Sequence, residues 1–165
     1  MNSSLLSFIN RIVHCLPSTR CFAIKRSLYR ICGIKIGKNV RICSSVSILG
    51  DSSLSIGENS WIGHETLILA SAPVVIGANV NIAPRCFIGT GTHEIDATGE
   101  SIAGKGVSLP ITIHDGTWLC THSVVLAGVT IGGKTIIAAG AVVTKEVPSG
   151  ELWGGIPARF IKKLL

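Results

Sequence analysis

The stretch 113–143, IHDGTWLCTHSVVLAGVTIGGKTIIAAGAVV, decides the fold. Every sixth position in it is aliphatic: Ile113, Leu119, Val125, Ile131, Ile137 and Val143. Four residues after each of these stands a small or β-branched residue: Thr117, Ser123, Val129, Thr135, Ala141 and Val147. An α-helix repeats every 3.6 residues and a strand every two, so a period of six belongs to neither. It fits one short strand plus one turn. Three such units close a triangular coil, and coils stack along an axis. Each aliphatic residue then points inward onto its equivalent in the next coil, and the residue four later fills a corner where only a modest side chain fits. Backbone hydrogen bonds run between coils, so each coil depends on its neighbours.

The same period extends towards the N-terminus in Ile76, Ile82 and Ile88, in Ile56, Ile62 and Ile68, and in Ile36 and Ile42. It is lost between Ile88 and Ile113, where 90–100 is polar and rich in glycine. A regular coil that expels a loop presents a site on a rigid scaffold. The expectation is an all-β protein: a left-handed parallel β-helix with a short helical N-terminal arm and an expelled loop near residues 90–110. Residues 1–33 form the arm, with one or two amphipathic helices broken at Pro17. Residues 34–165 form the β-helix and its C-terminal tail.

The chain has 165 residues and a formal net charge of +6, unevenly spread. From Met1 to Gly50 there is no acid, against Arg11, Arg20, Lys25, Arg26, Arg30, Lys35, Lys38 and Arg41. Such an arm suits either a solvated basic helix face or contact with an anionic membrane surface. No apolar run is long enough to span a bilayer, the N-terminus does not read as a signal peptide, and no nucleic-acid motif is present. The six cysteines form no CxxC pair, so small buried apolar residues in a reducing cytosol are expected rather than disulfides. Outward apolar residues on the flat faces, for which Leu67, Leu69 and Val125 stand, point to association of several copies.

The chain resembles the hexapeptide-repeat acyltransferases, in particular galactoside and maltose O-acetyltransferases and their capsule and exopolysaccharide relatives. The likeness covers about residues 34–163. It rests on the run Ile76-Gly77-Ala78-Asn79-Val80-Asn81-Ile82-Ala83-Pro84, on Thr92-His93, on Pro110-Ile111-Thr112-Ile113 and on Trp118. Its most specific words are Gly140-Ala141-Val142-Val143-Thr144-Lys145-Glu146-Val147-Pro148 and Gly155-Ile156-Pro157-Ala158-Arg159. The resemblance implies acetyl-CoA as co-substrate, a sugar or lipid-linked glycan hydroxyl as acceptor, no metal, and a homotrimer with sites between subunits. It implies His93 as general base, a role imidazole suits because a sugar hydroxyl is a poor nucleophile near neutral pH. A thioester is already activated, so no nucleophilic serine is needed, and no GxSxG elbow occurs.

By the same resemblance Trp61 matches an aromatic at the acceptor, but Gly63 stands where the family carries an asparagine, so that polar contact is either absent or replaced by His64, and Trp118 packs either at the acceptor groove or over a coil. Thr121, Ala139, Thr144, Lys145, Arg159 and Lys162 match positions along CoA, the basic ones suited to its phosphates. Trp153 covers either the adenine or the last coil, and His14, His114 and His122 read as exposed. The expected place is the cytoplasm, with the arm on the inner face of the membrane, near a surface-polysaccharide pathway. The other readings are an N-acetyltransferase of an amino sugar or antibiotic and a zinc enzyme of the γ carbonic anhydrase type. The second lacks that group's pair of ligands five residues apart.

Overall fold

The computed structural model describes residues 1–164 as two helices followed by a parallel β-solenoid of about six turns. Leu165, the last residue of the expected β-helix unit, lies outside the described residues. Three parallel sheets form the prism. The first face starts at Lys35–Ile36, the second at Arg41–Ile42 and the third at Ser47–Leu49. Successive coils add Leu54–Ile56, Trp61–Ile62 and Leu67–Leu69, then Val74–Ile76, Asn81–Ile82 and Phe87–Gly89. Register is strict: Ile42, Ile62, Ile82, Leu119, Ile137 and Trp153 stack in one inward column of the second face.

The corner positions are inward as the period demands. Val40, Ser60, Val80, Thr117 and Thr135 are all buried, and the hydroxyls among them bond carbonyls of the next coil. Turn residues take positive φ in register, as at Asn39, Asn59 and Asn79, where the side-chain amide tolerates a left-handed backbone. Val125 departs from its expected outward place: it is fully buried, because it shares the phase of Ile113 and Ile131. The outward apolar residues lie beside that phase. Phe87 and Val124 follow Leu67 on the third face, and Leu126 and Leu49 are exposed.

Helix α1 (Ser3–His14) is started by Asn2, whose side chain accepts from the Leu5 N–H. It buries Leu6, Ile9, Asn10 and Val13. Helix α2 (Phe22–Ile31) buries Lys25 and Tyr29. Burial pushes the Tyr29 phenol above its usual pKa, and its hydroxyl donates to Asn10.

The arm has a definite task at the end of the prism. In the solenoid an N–H of one coil donates to a C=O of the next, as Gly37 does to Ile56 and Arg41 to Ser60. The first coil has no coil before it, so its carbonyls lack those donors. Side chains of the arm supply them. Arg30 donates to Ile36 O at 2.6 Å, Arg26 to Val40 O at 2.9 Å and Lys25 to Ile42 O at 3.3 Å. His14 Nε2 lies 3.1 Å from Val46 O, and Asn10 donates to Ile48 O at 2.7 Å. A buried acceptor left without a donor costs about 1–3 kcal/mol, so this capping set explains why the arm is basic. The expectation of a merely solvated basic face gives way for Lys25, Arg26 and Arg30, and His14 is not idle. Among the cysteines, all free, Cys32, Cys43 and Cys86 are buried as expected, while Cys15 and Cys21 are exposed.

Candidate active site

The expelled segment is a hairpin. Gly91–Ile95 pairs antiparallel with Ala103–Ser108, and it leaves the prism where the third face would turn into the first. Coils resume in phase at Ile111–Ile113. His93 pairs with Gly106 across the hairpin, next to an irregularity at Glu94 of the kind that re-aims a side chain. Glycine at 106 leaves the flank of the ring open, since a Cβ there would stand 3.8 Å from Nε2. His93 is exposed and, among the described residues, no group of its own chain hydrogen-bonds the imidazole. The tip beyond it is held by Asp96, which accepts from the N–H groups of Thr98 and Gly99; these bonds hold its carboxyl below the usual range.

Trp61 and Trp118 both face outward on the second face, the face opposite the corner from which the hairpin leaves. Between them, on the intervening strand, stands exposed Asn81. Sequence reasoning missed it, although position 81 shares the phase of both tryptophans. With strands about 4.8 Å apart, the row offers two indoles flanking one amide. Trp61 is half-buried: Phe22 meets its ring edge-on at 6.1 Å, and the Arg41 guanidinium lies 5.0 Å over it. Trp118 is 47 % exposed.

His64 begins the next corner and is half-buried, with Nδ1 held at 3.2 Å from Ser45 Oγ. Its neighbour Gly63 could not carry a side chain in this backbone, because a Cβ would meet Ile82 O at 2.7 Å. Further along the corner, Glu65 and Arg85 form an exposed ion pair at 2.7 Å, and the guanidinium holds the Glu65 carboxyl below its usual range.

Thr121 and Ala139 occupy the same corner in later coils. Thr121 Oγ1 donates to Pro84 O at 2.8 Å, and Ala139 is exposed. Arg159 and Lys162 lie on the last strand, Arg159–Lys163, which pairs with Glu151–Gly154 at the far edge of the second face. Trp153 covers the last coil: it is buried, stacks on Ile137 and donates from Nε1 to Glu151. Lys145 Nζ lies 5.5 Å over its ring. Thr144 is exposed at the third-to-first corner. Burial pushes the thiols of Cys86 and Cys120 up, so neither supplies a ready thiolate.

One prism therefore gathers Trp61, His64, Trp118, Thr121, Ala139, Arg159 and Lys162 on the second face and its adjoining corner. It leaves His93 and Thr144 at the opposite corner. A cleft of about 480 Å³ between Asp115, Lys134, Ser149 and Lys163 takes in none of these residues.

No family model matches the chain. Among known proteins it is similar to WcaF of Escherichia coli K12, provisionally assigned as a colanic acid biosynthesis acetyltransferase: 34% identical over 136 residues, 82% of this chain and 72% of WcaF. The galactoside O-acetyltransferase of the same organism is 33% identical over 144 residues, 85% of this chain and 68% of that protein. The chain spans 57% of the length of the yeast protein YJL218W, provisionally assigned as an acetyltransferase, to which it is 38% identical over 113 residues. Its structure matches the hexapeptide-repeat acetyltransferase VCA0836 of Vibrio cholerae, solved with acetyl-CoA, at a TM-score of 0.80 and 26% identity, over 99% of this chain and 87% of that one. It matches a galactoside acetyltransferase in complex with coenzyme A at 0.78 and 25%, over 99% and 81%.

Proposed function

Because the chain belongs to the hexapeptide-repeat acetyltransferases of the galactoside and maltose O-acetyltransferase kind, we propose that it moves an acetyl group from acetyl-CoA to a sugar hydroxyl, with His93 as general base. The observation that carries this reading is the separation of His93 from the Trp61–Asn81–Trp118 row by the width of the prism. A base on one corner and an acceptor platform on the opposite face meet only between copies. The apolar third face is suited to bring copies together, which supports a homotrimer of parallel prisms.

His93 Nε2 takes the proton of the acceptor hydroxyl as the oxygen attacks the thioester carbonyl. The C–O bond forms, the tetrahedral oxyanion collapses, the C–S bond breaks, and the imidazolium returns its proton to the departing thiolate. The hairpin holds the base, and the indoles offer flat apolar faces to the sugar ring while Asn81 and His64 offer hydrogen-bonding groups. Arg159 and Lys162, with Lys145, supply cations to the phosphates of CoA. A surface-polysaccharide glycan is the acceptor this reading favours, supported by the likeness to WcaF.

A panel of glycans and amino sugars, assayed with acetyl-CoA by free thiol release, tests the reaction. Release with amines alone would turn the reading towards N-acetylation, and release with none would reject it. Lys145→Ala and Arg159→Ala are each expected to raise KM for acetyl-CoA about tenfold or more, since a charged contact contributes about 1.5–3 kcal/mol. KM for the acceptor should move little. Unchanged acetyl-CoA kinetics in both variants would remove these residues from the CoA site.

The shared site has its own test. Mixed trimers of His93→Ala and Trp118→Ala chains should regain activity that neither parent trimer shows, because some interfaces then pair an intact base with an intact platform. A monomeric mass at micromolar concentration, or mixtures no more active than the parents, would reject a site between copies.

A further inference from the structure

The capping set leaves part of the arm unexplained. Lys25, Arg26 and Arg30 are occupied by carbonyls, yet Arg11 and Arg20 are exposed, and no ion pair among the described residues involves them. Phe8, Ile24 and Ile31 are 59%, 53% and 68% exposed. On α1 the buried residues are Leu6, Ile9, Asn10 and Val13, so at 100° per residue Phe8, Arg11 and Cys15 fall together on the opposite side. On α2 Lys25 and Tyr29 face the prism, while Ile24 and Ile31, seven residues apart, share an outer stripe. α1 packs on the first strand of the third face and α2 on those of the first and second. The outer sides of both helices therefore make up one end of the molecule. Arg20 lies in the connection between them. No acid occurs from Met1 to Gly50, and the first, Asp51, stands beside Met1, at the other end of α1 from Arg11.

We infer that this end docks on an anionic bilayer surface, with Phe8, Ile24 and Ile31 among the head groups and Arg11 and Arg20 against lipid phosphates. Exposed apolar and cationic groups side by side on one surface, without acids, are what an anionic interface selects. No helix among the described residues is long and apolar enough to cross a membrane, so the contact is peripheral. Neither the charge count nor the exposed apolar residues carry this alone. The capped carbonyls account for Lys25, Arg26 and Arg30, and the two other cations of the helical arm, Arg11 and Arg20, sit on the same end as the apolar stripe.

The test is sedimentation of the full-length protein with vesicles of phosphatidylcholine containing phosphatidylglycerol, and of phosphatidylcholine alone, at low and high salt. The wild type should bind the anionic vesicles, release at high salt and ignore the neutral ones. Each cation near such a surface changes partition about fivefold, so Arg11→Glu with Arg20→Glu should lower it more than tenfold. Phe8→Ser with Ile24→Ser should also lower it, and thermal melts of both pairs should match wild type because neither pair joins the capping set. Equal binding to neutral vesicles, or unchanged binding by either double variant, overturns the inference. So does a changed oligomeric mass in the Phe8 and Ile24 variant, which would make this face a contact between copies.

Discussion

Replacing His93 by alanine lowers kcat by at least about a hundredfold if the imidazole takes the proton of the attacking hydroxyl, since general bases contribute about 10²–10⁴-fold. The same change should leave KM for acetyl-CoA and the melting temperature close to wild type. Both follow from position. The ring is exposed on the hairpin, and it is not among the cations Lys145, Arg159 and Lys162 offered to the CoA phosphates. A kcat loss without a KM change marks an interaction made in the transition state rather than in binding. Retention of more than about a tenth of kcat on the true acceptor would place the base elsewhere. His64 would then be next, since Ser45 already fixes one of its ring nitrogens.

The fold was readable in the sequence because its period is written directly in aliphatic residues. Ile113 to Val143 keep phase through successive coils, and each inward position repeats its own chemistry. The interruption was readable for the same reason: the count slips by two residues between Ile48 and Ile56 and between Ile68 and Ile76, but is lost for a whole segment only between Ile88 and Ile113. Val125 shows the limit of choosing outward residues by hydrophobicity, since the phase that defines the core already places it inside, and its neighbours Val124 and Leu126 turn out. Asn81 shows the converse. It lies in phase with Trp61 and Trp118, but the row exists only once coils are stacked. Gly63 could be noticed as a departure, yet its close approach to the next coil's backbone at Ile82, remote in sequence, could not. The capping side chains were the least legible. Nothing local in Asn10, His14 or Lys25 says that it will meet a carbonyl of the first coil. That role arises because a solenoid has an end.

Lys25→Met should therefore be the costliest conservative change in the arm. The lysine is fully buried, and its ammonium donates to Pro17 O and Ser18 O at 2.9 Å each and to Ile42 O at 3.3 Å. Burial lowers its pKa, with the nearby Cys43 and Cys21 opposing, so the charge is held there against desolvation by those acceptors. Methionine keeps most of the volume and removes every donor. Ile42 O is then left without its arm donor in the buried first coil, and the turn carbonyls lose the group that ties them to α2. Removing a buried donor of this kind costs about 3 kcal/mol, a sizeable share of the roughly 8–25 kcal/mol a chain of this size holds. For a domain near this length each kcal/mol moves the melting temperature by about 2–4 °C, which predicts a drop of about 6–12 °C. Arg11→Met, on the outer side of α1 and outside the capping set, should move it by less than about 2 °C. Calorimetry of the two variants separates capping from loss of positive charge. If they melt together, whether both low or both unchanged, the arm's basic character does not arise from the open end of the solenoid.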